Sequence, residues 1–143
     1  MVGLAWLQWV YLFFWLCFLA FLTIGGYFMF RKFLRTLPRD DGRSILDWQE
    51  YYIKETIHLW KQEHKELLND LVKPVPSPFR NTVKRKIAGK IGELALKDQI
   101  KALTEEYIIR GYILATPRRD HKWLVKTLKA RKINLSKYRN LIK

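Results

Sequence analysis

Residues 2–30 read VGLAWLQWVYLFFWLCFLAFLTIGGYFMF, and residues 31–43 continue RKFLRTLPRDDGR. The first stretch holds no Lys, Arg, Asp or Glu, so all 27 basic and 13 acidic residues of the 143-residue chain fall within 31–143. Apart from Gln8, Thr23 and three glycines, residues 2–30 are apolar. About 20 apolar residues suffice to cross a hydrocarbon layer of roughly 30 Å as a helix. Trp9 and Tyr27 lie about 27 Å apart along such a helix, close to the spacing of two interfacial aromatic belts. A cleaved leader would show a basic start, a shorter apolar region and an A-x-A-like site. None is present, and an uncleaved anchor over residues 1–30 is expected.

The flanks set the expected orientation. No cation precedes the apolar stretch, whereas Arg31, Lys32, Arg35, Arg39 and Arg43 follow it in a juxtamembrane connector, residues 31–43. The positive-inside rule then puts the N-terminus outside and the remainder in the cytoplasm. The one cysteine, Cys17, lies in the apolar stretch, so there is neither a disulfide framework nor a cysteine metal site.

About 100 residues remain, enough for one small domain over 44–143. Pro38 and Asp40-Asp41-Gly42 mark a turn, and Ser44-x-x-Asp47 opens a helix expected over about 45–70. Its apolar stripe runs through Ile45, Trp48, Tyr52, Thr56, Leu59 and Leu67, with Glu63 interrupting it. Pro74, Pro76 and Pro78 break the chain. Ser77 and Pro78 read as N-cap and first turn of a second helix, of about four turns, whose face repeats at Phe79, Val83, Ile87 and Ile91. Within it Ala88, Gly89 and Gly92 suit the close approach of another helix. Thr104 with Glu105 and Glu106 starts a third helix that stops before Pro117. Residues 112–115 read equally as its last turn or as a short extended segment. Asp120 caps a fourth helix, 121–131, with Trp123, Leu124 and Leu128 facing the core. The expected fold is all-α: one transmembrane helix, then three or four cytoplasmic helices.

Catalytic signatures are missing. No phosphate-binding glycine loop, nucleophile elbow or H-E-x-x-H occurs. Glu55-x-x-His58 has the spacing used in di-iron bundles, but His64 and His121 supply no second copy. The pair is a weak metal candidate, and the sequence implies no cofactor.

Charge is the stronger signal. Residues 73–101 hold eight cations against two acids, and 117–143 hold ten against one. Arg80, Lys84, Arg85, Lys86 and Lys90 form the basic face of the second helix. Arg118, Arg119, Lys122, Lys126, Lys129, Arg131 and Lys132 form a second basic patch. Beside an anionic leaflet each cation contributes about 1 kcal/mol within a Debye length of roughly 8–10 Å. The leading expectation is a non-catalytic interaction module at the cytoplasmic membrane surface, meeting anionic lipid headgroups or a protein partner. A redox, tetrapyrrole- or metal-associated accessory protein or enzyme is the alternative. A nucleic-acid binder is the third reading, and tethering to a membrane argues against it.

Two resemblances accompany these readings. Trp60 with Glu63, the step Val75-Pro76, the pair Phe79-Arg80, the basic helix through Ile87 and Ala88, and Thr104 before Glu106 resemble a small helical domain that ends one of the polypeptides of light-independent protochlorophyllide reductase. That likeness covers about residues 60–112 and implies a compact helical module without reductase chemistry. Over its whole length the chain resembles uncharacterised single-pass proteins of Bacillus-type bacteria, through the phrase IGGYFMFRK at 24–32 and the stretch 86–96.

Overall fold

The computed structural model describes residues 2–142, and among them every regular element is helical. Helices α1 (Val2–Thr36), α2 (Ile45–Thr56), α3 (Gln62–Leu71), α4 (Ser77–Lys97), α5 (Glu105–Ala115) and α6 (His121–Ala130) are joined by three 3-10 turns, Ile57–Leu59, Arg118–Asp120 and Leu135–Tyr138. The chain forms two compact units, one ending at Leu46 and one beginning at Asp47.

In the first unit, α1 has 35 residues and a length of about 52 Å. It does not stop at Phe30 but continues to Thr36, which places Arg31, Lys32 and Arg35 on its last turns. Cations there face the negative end of the helix dipole. Thr23, the only hydroxyl-bearing Ser or Thr among residues 2–30, donates to the Leu19 carbonyl at 2.8 Å and so satisfies itself within the helix. A tight turn follows: Gly42 N–H donates to the Arg39 carbonyl at 2.8 Å, and Gly42 has φ +75°, a conformation that favours glycine.

In the second unit, α4 packs along α5 and supplies Ile87, Ile91 and Ala95 to a core that also takes Ile108, Ile109 and Ile113. Leu68, Leu71 and Val72 join from α3 and the residue after it, and Leu124 and Leu128 from α6. Tyr138, on the last 3-10 turn, is also buried, so this segment packs on the domain. The glycines on α4 and α5 mark close helix contacts. A Cβ on Gly92 would lie 2.5 Å from the Tyr52 carbonyl oxygen of α2, and one on Gly111 would collide with Ile91 Cγ1.

Several expected boundaries shift. The helix expected over 45–70 is two helices. α2 ends at Thr56, where the β-branched pair Thr56-Ile57 weakens helical preference. Trp60 and Lys61 are extended, and α3 starts at Gln62. Among the described residues the domain therefore has five α-helices, where the sequence predicts three or four. Glu63, which interrupted the apolar stripe, falls in the first turn of α3, where its charge suits the dipole. His64 takes the place usual for Glu or Gln in a capping box: its Nδ1 accepts from Lys61 N–H at 3.2 Å.

Ser77 and Pro78 lie inside α4, after Pro76 as N-cap, and α4 runs 21 residues, about six turns. Thr104 and Asp120 occupy N-cap positions, but neither side chain bonds the helix end. Residues 112–115 are helical. Trp123 does not face the core and is 69% exposed. His121, Leu124 and Leu128 set the inward stripe of α6, and Trp123, one residue before Leu124, is turned about 100° away from it. Phe79, at the start of α4, is likewise exposed.

Candidate functional site

The two basic patches expected from the sequence separate into cations held by the fold and cations left on the surface. On α4, Arg80 is half-buried. Its Nε and Nη2 donate to the Val75 carbonyl at 3.2 and 3.1 Å, and Nη2 also donates to the Lys73 carbonyl at 3.1 Å. It therefore pins the proline-rich turn. Lys90 pairs with Glu93 on its own helix at 2.8 Å. Lys84, Arg85 and Lys86 carry no ion pair among the described residues.

In the second patch, Arg131 pairs with Asp70 and so ties the end of α6 to α3. The same carboxylate takes Lys73 at 2.7 Å. Hydrogen bonds from Lys73 and then Arg131 hold the Asp70 carboxyl below the usual carboxylate range. Arg119 lies 3.7 Å from Asp120. Lys132 is the left-handed residue that ends α6, with φ +58°. Arg118, Lys122, Lys126 and Lys129 remain exposed and without ion pairs among the described residues. Lys126 Nζ sits 5.5 Å from the centre of the Trp123 ring. α6 thus presents an exposed indole with a lysine over its ring, where sequence periodicity points that indole at the core.

A cleft of about 690 Å³ opens between α2, the turn into α3, and α4. Ile53, Ile57, Trp60, Leu68 and Ala88 give it an apolar lining, and Lys54, Lys65, Lys84 and Arg85 bring cations to it. Glu50 is the one acid among its lining residues, and it pairs with Lys54 at 3.0 Å. Lys65, Lys84 and Arg85 are left uncompensated. The spacing of Lys84 and Arg85 is visible in the sequence. Their convergence with Lys65 and with the exposed Ile57 is not, because it depends on the break between α2 and α3.

Glu55 and His58 are both exposed, and the end of α2 falls between them, so they do not share one α-helical face. Among the described residues no group of three or more His, Cys, Asp or Glu side chains is placed to hold a metal. His121 is buried, with Nε2 3.2 Å from the Thr116 carbonyl; because a carbonyl only accepts, that nitrogen carries the proton. Burial pushes the phenols of Tyr112 and Tyr138 above their ordinary range, so neither offers a phenolate. The arrangement is suited to binding anions and apolar groups.

α1 is long and apolar enough to cross a membrane. Residues 4–142 match a family described as a protein of unknown function, DUF2621. A protein of Bacillus subtilis (strain 168) named membrane protein YneK is 52% identical over 138 residues, covering 96% of this chain and 97% of that protein. No solved structure matches the chain. These comparisons give no support to the likeness of residues 60–112 to the protochlorophyllide reductase domain. They agree with the whole-length resemblance, and the chain belongs to the DUF2621 family.

Proposed function

We propose that this member of the DUF2621 family is a single-pass membrane protein, N-terminus outside, whose cytoplasmic domain is a non-catalytic module that docks on the anionic inner leaflet through α6. The observation that carries the reading is the exposed Trp123 with Lys126 over its ring, on a segment that also exposes Arg118, Lys122 and Lys129. An indole favours the headgroup boundary, and lysines beside it can reach phosphate while burying their stems. Four such cations contribute on the order of 4 kcal/mol near an anionic surface at moderate salt. A domain already tethered to that surface starts from a high local concentration, so this modest attraction suffices to hold it down. The apolar α1, the cations on its last turns and the name of the Bacillus subtilis relative all support the membrane setting.

The test uses one variant twice. Ala130 is exposed and lies seven residues beyond Trp123, on the same face of α6. Ala130→Cys in a Cys17→Ala background carries an environment-sensitive fluorophore in nanodiscs. Emission should shift to the blue with phosphatidylglycerol, not with phosphatidylcholine alone, and the shift should vanish near 1 M salt, where the Debye length is about 3 Å. Equal emission in both lipids would overturn the docking. In cells, a membrane-impermeant maleimide should label the same cysteine only after permeabilisation. Labelling of intact cells would reverse the proposed orientation.

A further inference from the structure

The cleft between α2, α3 and α4 lies apart from the α6 face and has a different construction. Its volume of about 690 Å³ falls within the range of small-ligand sites, roughly 300–1,000 Å³. Its chemistry is amphiphilic. Ile57 is 61% exposed, and with half-buried Trp60 it gives the cleft an apolar wall. Lys65 on α3 and Lys84 and Arg85 on α4 converge on the same space, and the only acid there is already paired with Lys54. Three uncompensated cations beside an apolar wall call for a ligand that carries both an anionic head and an apolar body. Arg85 offers a planar fork of donors suited to two phosphate oxygens, and the lysines add point charges.

We infer that this cleft holds a single anionic phospholipid, its phosphate among Lys65, Lys84 and Arg85 and the start of an acyl chain against Ile57 and Trp60. The inference rests on the membrane reading for the source of the ligand, and it does not involve the α6 face. The lining favours a lipid over a soluble anion, because a small anion would satisfy the cations and leave the apolar wall of Ile57 and Trp60 uncovered. A docked folded protein would need an interface of roughly 800 Å² on each partner, more than a concavity of this size provides.

Full-length protein in an uncharged detergent is titrated with a short-chain, monomeric phosphatidylglycerol or phosphatidylcholine, and bound lipid is counted by native mass spectrometry. The expected result is one phosphatidylglycerol per chain, bound at least tenfold more tightly than phosphatidylcholine. Lys84→Glu with Arg85→Glu should weaken it tenfold or more, as should Ile57→Asp. These side chains are exposed or half-buried at the surface, so the fold is not at stake. Lys122→Glu with Lys126→Glu should leave this stoichiometric binding intact while abolishing nanodisc docking, which separates failure of one idea from failure of the other. Equal binding of the two lipids, non-saturating uptake, or loss caused by the α6 variants instead would each overturn the inference. Preferential binding of an acidic amphipathic peptide, lost in the cleft variants, would overturn it in favour of a protein segment.

Discussion

Replacing Gly92 by alanine tests the contact that brings α2 onto α4, and with it one wall of the cleft. A Cβ at this position would lie 2.5 Å from the Tyr52 carbonyl oxygen, 2.9 Å from the Tyr52 carbonyl carbon and 2.9 Å from Thr56 Oγ1. Ordinary contact begins near 3.4 Å, so α2 must retreat by about 0.9 Å. The obstacle is largely backbone, and it is fixed further because the Thr56 hydroxyl donates to that same Tyr52 carbonyl at 2.7 Å. Helix propensity pulls the other way, since alanine is favoured over glycine by about 0.5–1 kcal/mol inside a helix. Overpacking costs about 1–3 kcal/mol. The net expectation is a loss of about 1–2 kcal/mol, which for a domain of this size lowers Tm by roughly 5–10 °C. Gly89→Ala is the internal control. Its Cβ would meet Gln49 Cγ at 2.5 Å, part of a flexible side chain that can swing aside, so Tm should hold or rise. Thermal unfolding of the full chain, followed by circular dichroism in an uncharged detergent, reads both variants. If Gly92→Ala melts as high as Gly89→Ala, α2 does not approach α4 as described and the overpacking argument fails.

Two further outcomes follow from the ends of α3, α4 and α6. Because the folded Asp70 carboxyl is held low by Lys73 and Arg131, its stabilisation is present above the unfolded carboxylate value of about 3.9 and is lost as pH falls through the folded value. The Tm difference between wild type and Asp70→Asn should therefore be largest near neutral pH and shrink below about pH 4; a difference independent of pH would count against the Asp70 tie. Gln99 and Lys132 have φ +48° and +58° at helix ends where Ile100 N–H donates to the Ala95 carbonyl and Ile133 N–H to the Leu128 carbonyl, both at 3.1 Å. These are Schellman ends with the left-handed position filled by a side chain. Gln99→Gly and Lys132→Gly should each raise stability by about 0.5–1 kcal/mol in chemical denaturation, and a loss would show that the lost side chain mattered more than the backbone.

The parts of this fold that are legible in the sequence are those fixed by strong local rules. Twenty-nine residues without a charge leave few options but a long apolar helix, and the proline cluster at 74–78 forces a break wherever the neighbouring helices lie. The small residues at 88–92 announce a close helix contact, and Gly92 against Tyr52 is that contact. What cannot be read are choices settled by tertiary packing. The break after Thr56 has no glycine or proline to mark it, and the capping box on α3 puts His64 where Glu or Gln is the usual signal. Large aromatic residues usually turn inward, which is why Trp123 reads as core, yet the stripe through His121, Leu124 and Leu128 already fills the available face. Arg80 looks like any other surface cation until its guanidinium meets the Val75 and Lys73 carbonyls.

The positive charge of this domain is thus not one undifferentiated property. Acids are scarce, and two near helix ends secure the fold: Asp70 takes Lys73 and Arg131, while Asp98 takes the Tyr107 hydroxyl at 3.0 Å and lies 3.7 Å from Arg110. Glu50 and Glu93 neutralise Lys54 and Lys90. Once those pairings are made, surplus cations remain together beside apolar side chains in two places, the cleft rim with Ile57 and the α6 face with Trp123. A surface that served only solubility would not need apolar groups at its most basic points, and uncompensated like charges there oppose the compact state. On the two readings proposed above, anionic phosphates would offset that repulsion at both places, with a bilayer boundary covering the indole and a single acyl chain covering the isoleucine. Any ligand that binds only the folded domain also stabilises it by mass action, so on those readings anionic lipid should raise the Tm of the domain, and variants of the two patches should remove that rise.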